Sequence, residues 1–131
     1  MESLNWWAVI VAAALSFALG GPWYSKALFG AAWSADSHDT RPKGQGHPAK
    51  VFGLSFVFAL IAAAAFAWWL GPKPSPSYAV VHGLVAGACF VATSFGINYQ
   101  FANRSTRMWL IDGGYHTVQF LLFGLVLGLW H

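Results

Sequence analysis

Two ionisable side chains, Asp112 and His116, lie four positions apart inside a long apolar stretch near the C-terminus. At this spacing they share one face of an α-helix and can interact. Histidine titrates near neutral pH, so the pair predicts a step along which a proton can pass. Amide and hydroxyl groups extend the candidate site, because an unpaired amide in an apolar environment is costly. The predicted polar site comprises Asp112, His116, Asn98, Gln119 and Thr93.

A structural anchor is the competing interpretation of the same residues. The carboxylate would pair with Arg104 or Arg107, which precede it along the chain. Charge-assisted hydrogen bonds of this kind are stronger than bonds between neutral groups. The imidazole would be hydrogen-bonded to Asn98 or Thr93 across a contact between helices. The sequence alone is compatible with both proton transfer and anchoring.

The composition indicates whether these residues lie in water or in a membrane. Of 131 residues, 57% are hydrophobic and 8% are charged, whereas soluble proteins average about 25% charged residues. A soluble fold would expose large apolar patches, so the sequence predicts one integral membrane domain over residues 1–131. Basic residues are scattered between apolar runs, which argues against a nucleic-acid partner. The lone cysteine, Cys89, excludes an intramolecular disulfide.

Three stretches without charge, and a fourth that only Asp112 interrupts, mark four spans, since a transmembrane helix needs about 20 mostly apolar residues. Proline, glycine and polar residues delimit helices near 5–28, 50–70, 78–100 and 108–130. All eight tryptophans lie at or just beyond these helix ends, where their amphipathic rings favour the headgroup region. The predicted fold class is therefore all-α, with four transmembrane helices in an antiparallel bundle and the lipid bilayer as a partner.

Basic residues predict the orientation, because short loops rich in Lys and Arg remain cytoplasmic. Six of the seven lie in or beside loops 30–49 and 101–107, which are therefore predicted to be cytoplasmic, with both termini outside. Loop 30–49 is rich in polar residues, glycine and proline and is predicted to lack a fold of its own. No metal site is expected there, although His38, Asp39 and His47 are potential ligands, because flexible backbone gives poor ligand geometry.

Small residues four apart predict where helices approach closely, since membrane helices associate through backbone proximity and interhelical hydrogen bonds. The third and fourth predicted helices each carry two such glycines, and the first carries one near its end. The predicted packing positions are Gly83, Gly87, Gly124, Gly128 and Gly20. Contacts within one chain and contacts in a homo-oligomer fit this pattern equally. Pro22 removes a backbone donor late in the first helix and predicts a kink or an early end.

Several distinctive stretches are spread nearly from end to end. They are Asn5-Trp6, GGPWYS at 20–25, Leu28-Phe29-Gly30 with Ala32-Trp33, FVATSFGINYQFANRS at 90–105, LIDGGY at 110–115 and LGLW at 127–130. Together they resemble the bacterial membrane family catalogued as domain of unknown function 1761. The resemblance implies a four-helix protein of the bacterial inner membrane and supplies no activity. The family often has a glutamate where this chain has Ala102, so any ion coupling through that acid is absent here.

Two functions of different classes follow from these expectations. The first expectation is a small transporter or channel, proton-linked and acting as an oligomer, which would use Asp112, His116 and Asn98 as cavity lining. Four helices enclose little space, so transport would require more than one copy. The alternative is an accessory or scaffold subunit of a larger membrane complex, which would need only the tryptophans at the helix ends and the glycine packing positions. No nucleophile and base with a recognisable motif are seen in the sequence, so we expect neither enzyme activity nor a cofactor.

Overall fold

The computed structural model describes residues 4–37 and 48–131. These form α1 Trp6–Trp23, α2 Gly30–Asp36, α3 Pro48–Leu70, α4 Pro76–Val85, α5 Ala92–Phe101 and α6 Thr106–Leu129, with a π-helical segment, Ala86–Val91, between α4 and α5. Four helices are long and apolar enough to cross a membrane: Trp6–Trp23, Ala49–Leu70, Pro76–Phe101 and Thr106–Leu129. We call Pro76–Phe101 the third span. The predicted all-α class with four candidate membrane spans is confirmed.

Helix α6 is the centre of the bundle. It packs against α1, α2, α4, α5 and the π-helical segment, whereas α3 packs mainly on α1. Both α1 and α3 carry small buried side chains, which allow helix backbones to approach closely. These residues are Ala8, Ala12, Ala13, Ala59, Ala63 and Ala67.

Polar caps fix the starts of three helices. The Oδ1 atom of Asn5 accepts a hydrogen bond from the backbone N–H of Ala8 at 3.2 Å. The hydroxyls of Ser75 and Ser105 accept the same kind of bond at 3.2 and 3.0 Å. Each bond satisfies one of the N–H groups that lack a partner in the first helical turn. The caps explain why α4 and α6 begin at 76 and 106, two residues before the predicted starts.

Helix α1 ends at Trp23, well before the predicted end at residue 28. Pro22 lies in its last turn, and Tyr24 follows as the capping residue. The chain then turns tightly, and the N–H of Gly30 donates to the carbonyl of Ser25 at 2.8 Å. A Cβ atom at Gly30 would lie 2.3 Å from the carbonyl oxygen of Tyr24, so this turn requires glycine. Of the two outcomes predicted for Pro22, a kink or an early end of the helix, the structure shows the early end.

The short helix α2 occupies the start of the segment that was predicted to lack a fold. It has seven residues, Gly30–Asp36, fewer than an isolated helix needs to be stable in water. Contacts of its side chains with other helices, described below, stabilise it. The rest of the predicted loop from 38 to 47, with His38, Asp39 and His47, lies outside the described residues.

Four glycines bring the third span against α6, and we call them the glycine seam: Gly83, Gly87, Gly124 and Gly128. A Cβ atom at Gly83 would lie 2.3 Å from the carbonyl oxygen of Phe120, and one at Gly124 would lie 2.4 Å from a carbonyl oxygen of α4. Any larger residue would push the two helices apart. Gly20 also faces α6, where a Cβ atom would meet the ring of Tyr115 at 3.7 Å, an ordinary contact. All five contacts lie within one chain.

The π-helical segment Ala86–Val91 interrupts the third span opposite the middle of α6. A Cβ atom at Gly87 would lie 2.6 Å from the Cα atom of Thr117, so the two backbones touch there. Widened turns disturb the regular backbone pairing, and an unpaired carbonyl is costly in hydrocarbon. The hydroxyls of Thr93 and Ser94 donate to carbonyl oxygens of the segment at 2.7 and 2.8 Å. These bonds help to satisfy the π-helical backbone.

Candidate functional site

Asp112 is the centre of the site and lies in the second turn of α6, with 7% of its surface exposed. Its Oδ1 atom accepts a hydrogen bond from the hydroxyl of Tyr24, and its Oδ2 atom accepts one from the hydroxyl of Tyr99. The indole N–H of Trp33 also donates to Oδ2, at 3.1 Å. Neutral donors therefore occupy both carboxylate oxygens. We call Asp112, Tyr24, Trp33 and Tyr99 the Asp112 cluster.

Each donor of the Asp112 cluster comes from a different element. Tyr24 caps the end of α1, Trp33 lies in the middle of α2, and Tyr99 lies in the last turn of α5. Tyr24 and Trp33 are 88 and 79 positions from Asp112 along the chain. One carboxylate on α6 thus connects α1, α2 and α5 at the same end of the bundle.

A second contact fixes the C-terminal end of α2. The guanidinium of Arg107 donates to both carboxylate oxygens of Asp36, at 2.6 and 2.9 Å, and the hydroxyl of Ser105 donates to Oδ2 at 2.6 Å. A two-pronged arginine–carboxylate bond fixes direction as well as distance. The side chain of Arg107 is 58% exposed, so solvent screens the attraction. The pair therefore serves mainly to orient α2 beside Asp112.

The anchor for Asp112 differs from the one that the sequence predicted. Arg107 binds Asp36 instead, and the donors that reach Asp112 are two phenols and an indole. The Nη1 atom of Arg104 is buried and has no hydrogen-bond partner within residues 4–37 and 48–131. Two phenols and an indole therefore satisfy the carboxylate without an arginine.

Three tryptophans at this end of the bundle direct their indole N–H groups into the protein. Trp33 donates to Asp112, as described above. Trp23 donates to the carbonyl of Ile111 at 2.9 Å, and Trp109 donates to the carbonyl of Ala92 at 2.7 Å. The sequence assigned these three residues to a headgroup belt. Their hydrogen bonds show that they also join α6 to α1, α2 and the third span.

His116 belongs to a second polar group, which we call the His116 group and which lies one turn further along α6. Its Nδ1 atom lies 2.7 Å from Oε1 of Gln119, whose Nε2 atom lies 3.4 Å from the hydroxyl of Ser16 on α1. The imidazole stacks on Phe95 with ring centroids 4.8 Å apart and planes 20° apart. The hydroxyl of Ser16 in turn donates to a carbonyl of its own helix at 2.9 Å. This group therefore links α6 to α1 and α5.

Tyr115 lies between the Asp112 cluster and the His116 group. Its ring centroid is 5.6 Å from that of Tyr24 and 5.0 Å from that of His116. Its hydroxyl donates to the carbonyl of Ser16 at 2.9 Å. Asp112 and His116 form no hydrogen bond with each other in the described part of the chain. The aromatic contacts of Tyr115 join the two polar groups.

Two residues of the predicted site lie away from it. Asn98 is exposed on α5, and Thr93 is exposed and donates to two carbonyls of its own span at 2.7 and 3.0 Å. The predicted hydrogen bond from His116 to Asn98 or Thr93 is therefore wrong. Gln119 takes that role because it lies three positions along the same helix, where side chains face each other.

Burial, followed by the hydrogen bond to Asp112, raises the pKa of Tyr24 above its ordinary value. Tyr24 lies just beyond the end of the span Trp6–Trp23. An ordinary tyrosine already titrates near pH 10, so the hydroxyl stays protonated throughout the physiological range. Tyr24 is therefore a permanent donor to the carboxylate.

The sequence selected Asp112 but missed its partners Tyr24, Trp33 and Tyr99. A signal was available, because the four residues occur in separate stretches that carry the family resemblance: WYS, AW, INYQ and LIDGGY. Buried tyrosine and tryptophan side chains usually find a hydrogen-bond partner. Aromatic donors in these stretches were therefore candidates for binding an acid buried among them.

Comparison with known proteins identifies the family of the chain. Residues 7–128 match the family described as protein of unknown function DUF1761. Neither the curated proteins nor the solved structures contain a match to the chain. The matched residues include the whole Asp112 cluster and the glycine seam. The chain therefore belongs to the DUF1761 family, as its motifs predicted.

Proposed function

We propose that the protein is a non-catalytic accessory or scaffold subunit of a membrane assembly. The observation that carries this proposal is the occupation of Asp112, whose two oxygens accept three hydrogen bonds from neutral side chains on three other elements. Three of the roughly four acceptor positions of this carboxylate are taken, so a transported cation could bind it closely only by displacing a donor. A carboxylate that anchors helices is instead bonded to the protein, as Asp112 is.

The glycine seam supports the same proposal. A path for a solute between the third span and α6 would need separated backbones. Added Cβ atoms at Gly83, Gly87, Gly124 and Gly128 would lie only 2.3, 2.6, 2.4 and 2.8 Å from atoms of the facing helix. Such tight contact favours a rigid bundle that acts through its outer surface. Other membrane subunits, or further copies of the chain, would bind that surface.

Transport is the second candidate, and the His116 group favours it. His116, Gln119 and Ser16 place titratable, amide and hydroxyl groups inside the bundle. Ionisable groups within membrane spans commonly mark ion or proton pathways. A small proton-linked transporter, acting as an oligomer, would use this group together with Asp112.

One experiment separates the two candidates. The protein is purified in mild detergent to measure its oligomeric state and the stoichiometry of co-purifying membrane chains, and is reconstituted into liposomes that contain a pH-sensitive dye. Asp112→Asn and His116→Ala are compared with Asn98→Ala, a control at an exposed position outside both polar groups. An accessory subunit shows a partner at fixed stoichiometry and proton flux no higher than in empty liposomes.

The opposite pattern contradicts the accessory role. Wild-type flux that persists in Asn98→Ala but disappears in folded Asp112→Asn and His116→Ala would identify a transporter. Circular dichroism of each variant establishes that it is folded. In a folded variant, loss of flux then shows that the altered side chain takes part in transport.

A further inference from the structure

A pocket of about 670 Å³ opens at the other end of α6 from the Asp112 cluster. It lies where α1 begins and where α3 and α6 end. Its floor is apolar and includes the buried side chains of Ala67, Leu70 and Leu127. The volume falls within the range of roughly 300–1,000 Å³ that is typical of ligand sites. The pocket is therefore large enough to hold part of an organic ligand.

Three exposed tryptophans stand around this floor. Trp68, Trp69 and Trp130 line the pocket and are 60%, 46% and 45% exposed. They lie at the ends of α3 and α6, and tryptophan at the end of a membrane span favours the boundary between hydrocarbon and water. The pocket therefore opens at the depth of the lipid headgroups.

Lys73 supplies a positive charge to the same pocket. Among the described residues that line it, Lys73 supplies an ammonium group and His131 an imidazole, and none is Asp or Glu. Lys73 is exposed and has a φ of 49°, a left-handed conformation that residues other than glycine rarely adopt. The turn between α3 and α4 thus holds a lysine in an unfavourable backbone conformation beside an apolar floor. Strained residues of this kind cluster at ligand sites.

We propose that this pocket binds an anionic phospholipid. The phosphate lies beside Lys73, and one acyl chain covers the floor formed by Ala67, Leu70 and Leu127. The tryptophan rings flank the glycerol region, where their amphipathic surfaces are favoured. A zwitterionic lipid carries its own ammonium group and gains less from Lys73. A small soluble anion makes no use of the apolar floor.

The test uses quenching of tryptophan fluorescence by lipids with brominated acyl chains. Purified protein in mild detergent is titrated with dibrominated phosphatidylglycerol, which is anionic, and with dibrominated phosphatidylcholine, which is zwitterionic. We expect the anionic lipid to reach half-maximal quenching at about fivefold lower concentration, which corresponds to about 1 kcal/mol for one basic residue near an anionic lipid. Equal quenching by the two lipids overturns the proposal.

Matched variants assign the preference to this pocket. Lys73→Ala should remove the fivefold difference, whereas Lys73→Arg should retain it. Lys26→Ala is the control, because Lys26 is an exposed lysine outside the pocket. A preference that persists in Lys73→Ala, or that disappears in Lys26→Ala, contradicts the assignment. Displacement of the lipid by an equal concentration of glycerol phosphate would identify a site for small anions and would also overturn the proposal.

Discussion

Replacing Asp112 by alanine removes the acceptor of three hydrogen bonds at once. Hydrogen bonds between side chains in membrane proteins contribute about 0.6 kcal/mol on average and up to about 1.7 kcal/mol. Three such bonds sum to about 2–5 kcal/mol, so Asp112→Ala should lower the free energy of unfolding by that amount. Asp112→Asn should cost less, because the amide oxygen can take the place of Oδ2 while the amide N–H donates to the hydroxyl of Tyr24, which can also accept.

Titration with SDS of the protein in mild detergent, followed by circular dichroism, measures this free energy. Asn98→Ala is the control, since Asn98 is exposed and lies outside the Asp112 cluster. Its effect should stay within about 0.5 kcal/mol of wild type, as for other surface substitutions. If Asp112→Ala also stays within that limit, the anchoring role of Asp112 is refuted.

Other parts of the bundle should respond in distinct ways. Gly83→Ala should cost about 1–3 kcal/mol in an SDS titration, because its Cβ would lie 2.3 Å from a carbonyl oxygen of α6, whereas Gly21→Ala has open space and should not. Equal losses would contradict the packing described for the glycine seam. Arg107→Ala breaks the exposed pair with Asp36 and should have a small effect that vanishes in high salt; an effect independent of salt would exclude a screened ion pair. The raised pKa of Tyr24 keeps it protonated when ordinary tyrosines ionise near pH 10, so Tyr24→Phe should leave the phenolate absorbance gained there unchanged. The stabilisation that Tyr24 gains by staying protonated is complete below about pH 10, where the unfolded tyrosine titrates, and is lost progressively as the pH rises towards the raised pKa of the folded protein. A smaller absorbance gain in the variant would show that Tyr24 titrates normally.

The four membrane spans were predictable because each is a long apolar run with few or no charged residues. The range from 51 to 72 contains no Asp, Glu, Lys or Arg, and α3 ends within it at Leu70. Helix α2 has no such signal, since it is short and is stabilised by contacts of Trp33 and Asp36 with residues far along the chain. Periodicity within a segment does not encode contacts of that kind.

The polar site was predictable only in part, and the π-helical segment is one reason. Asp112 could be selected because it is the one acid in its apolar run. Thr93 and Asn98 follow Ala86–Val91, and an extra residue in a helical turn rotates all later positions by about 100°. The face on which they lie could not be deduced from a regular helix.

The aromatic donors were missed for a different reason. Tyrosine and tryptophan at the end of a membrane span are already explained by the headgroup region. Trp33 and Tyr24 satisfy that rule and also donate to Asp112. Only the folded structure shows whether each hydroxyl or indole N–H faces the headgroup region or donates to a group inside the protein.

The coupling free energy between Asp112 and Tyr24 tests the anchoring role most directly. It is obtained from SDS titrations of the wild type, Asp112→Ala, Tyr24→Phe and the double variant. A bond that holds α1 to α6 predicts a coupling of about 0.6–1.7 kcal/mol, with the double variant losing less than the sum of the single variants. Single-variant losses that simply add would contradict it, because the two side chains would then stabilise the bundle independently.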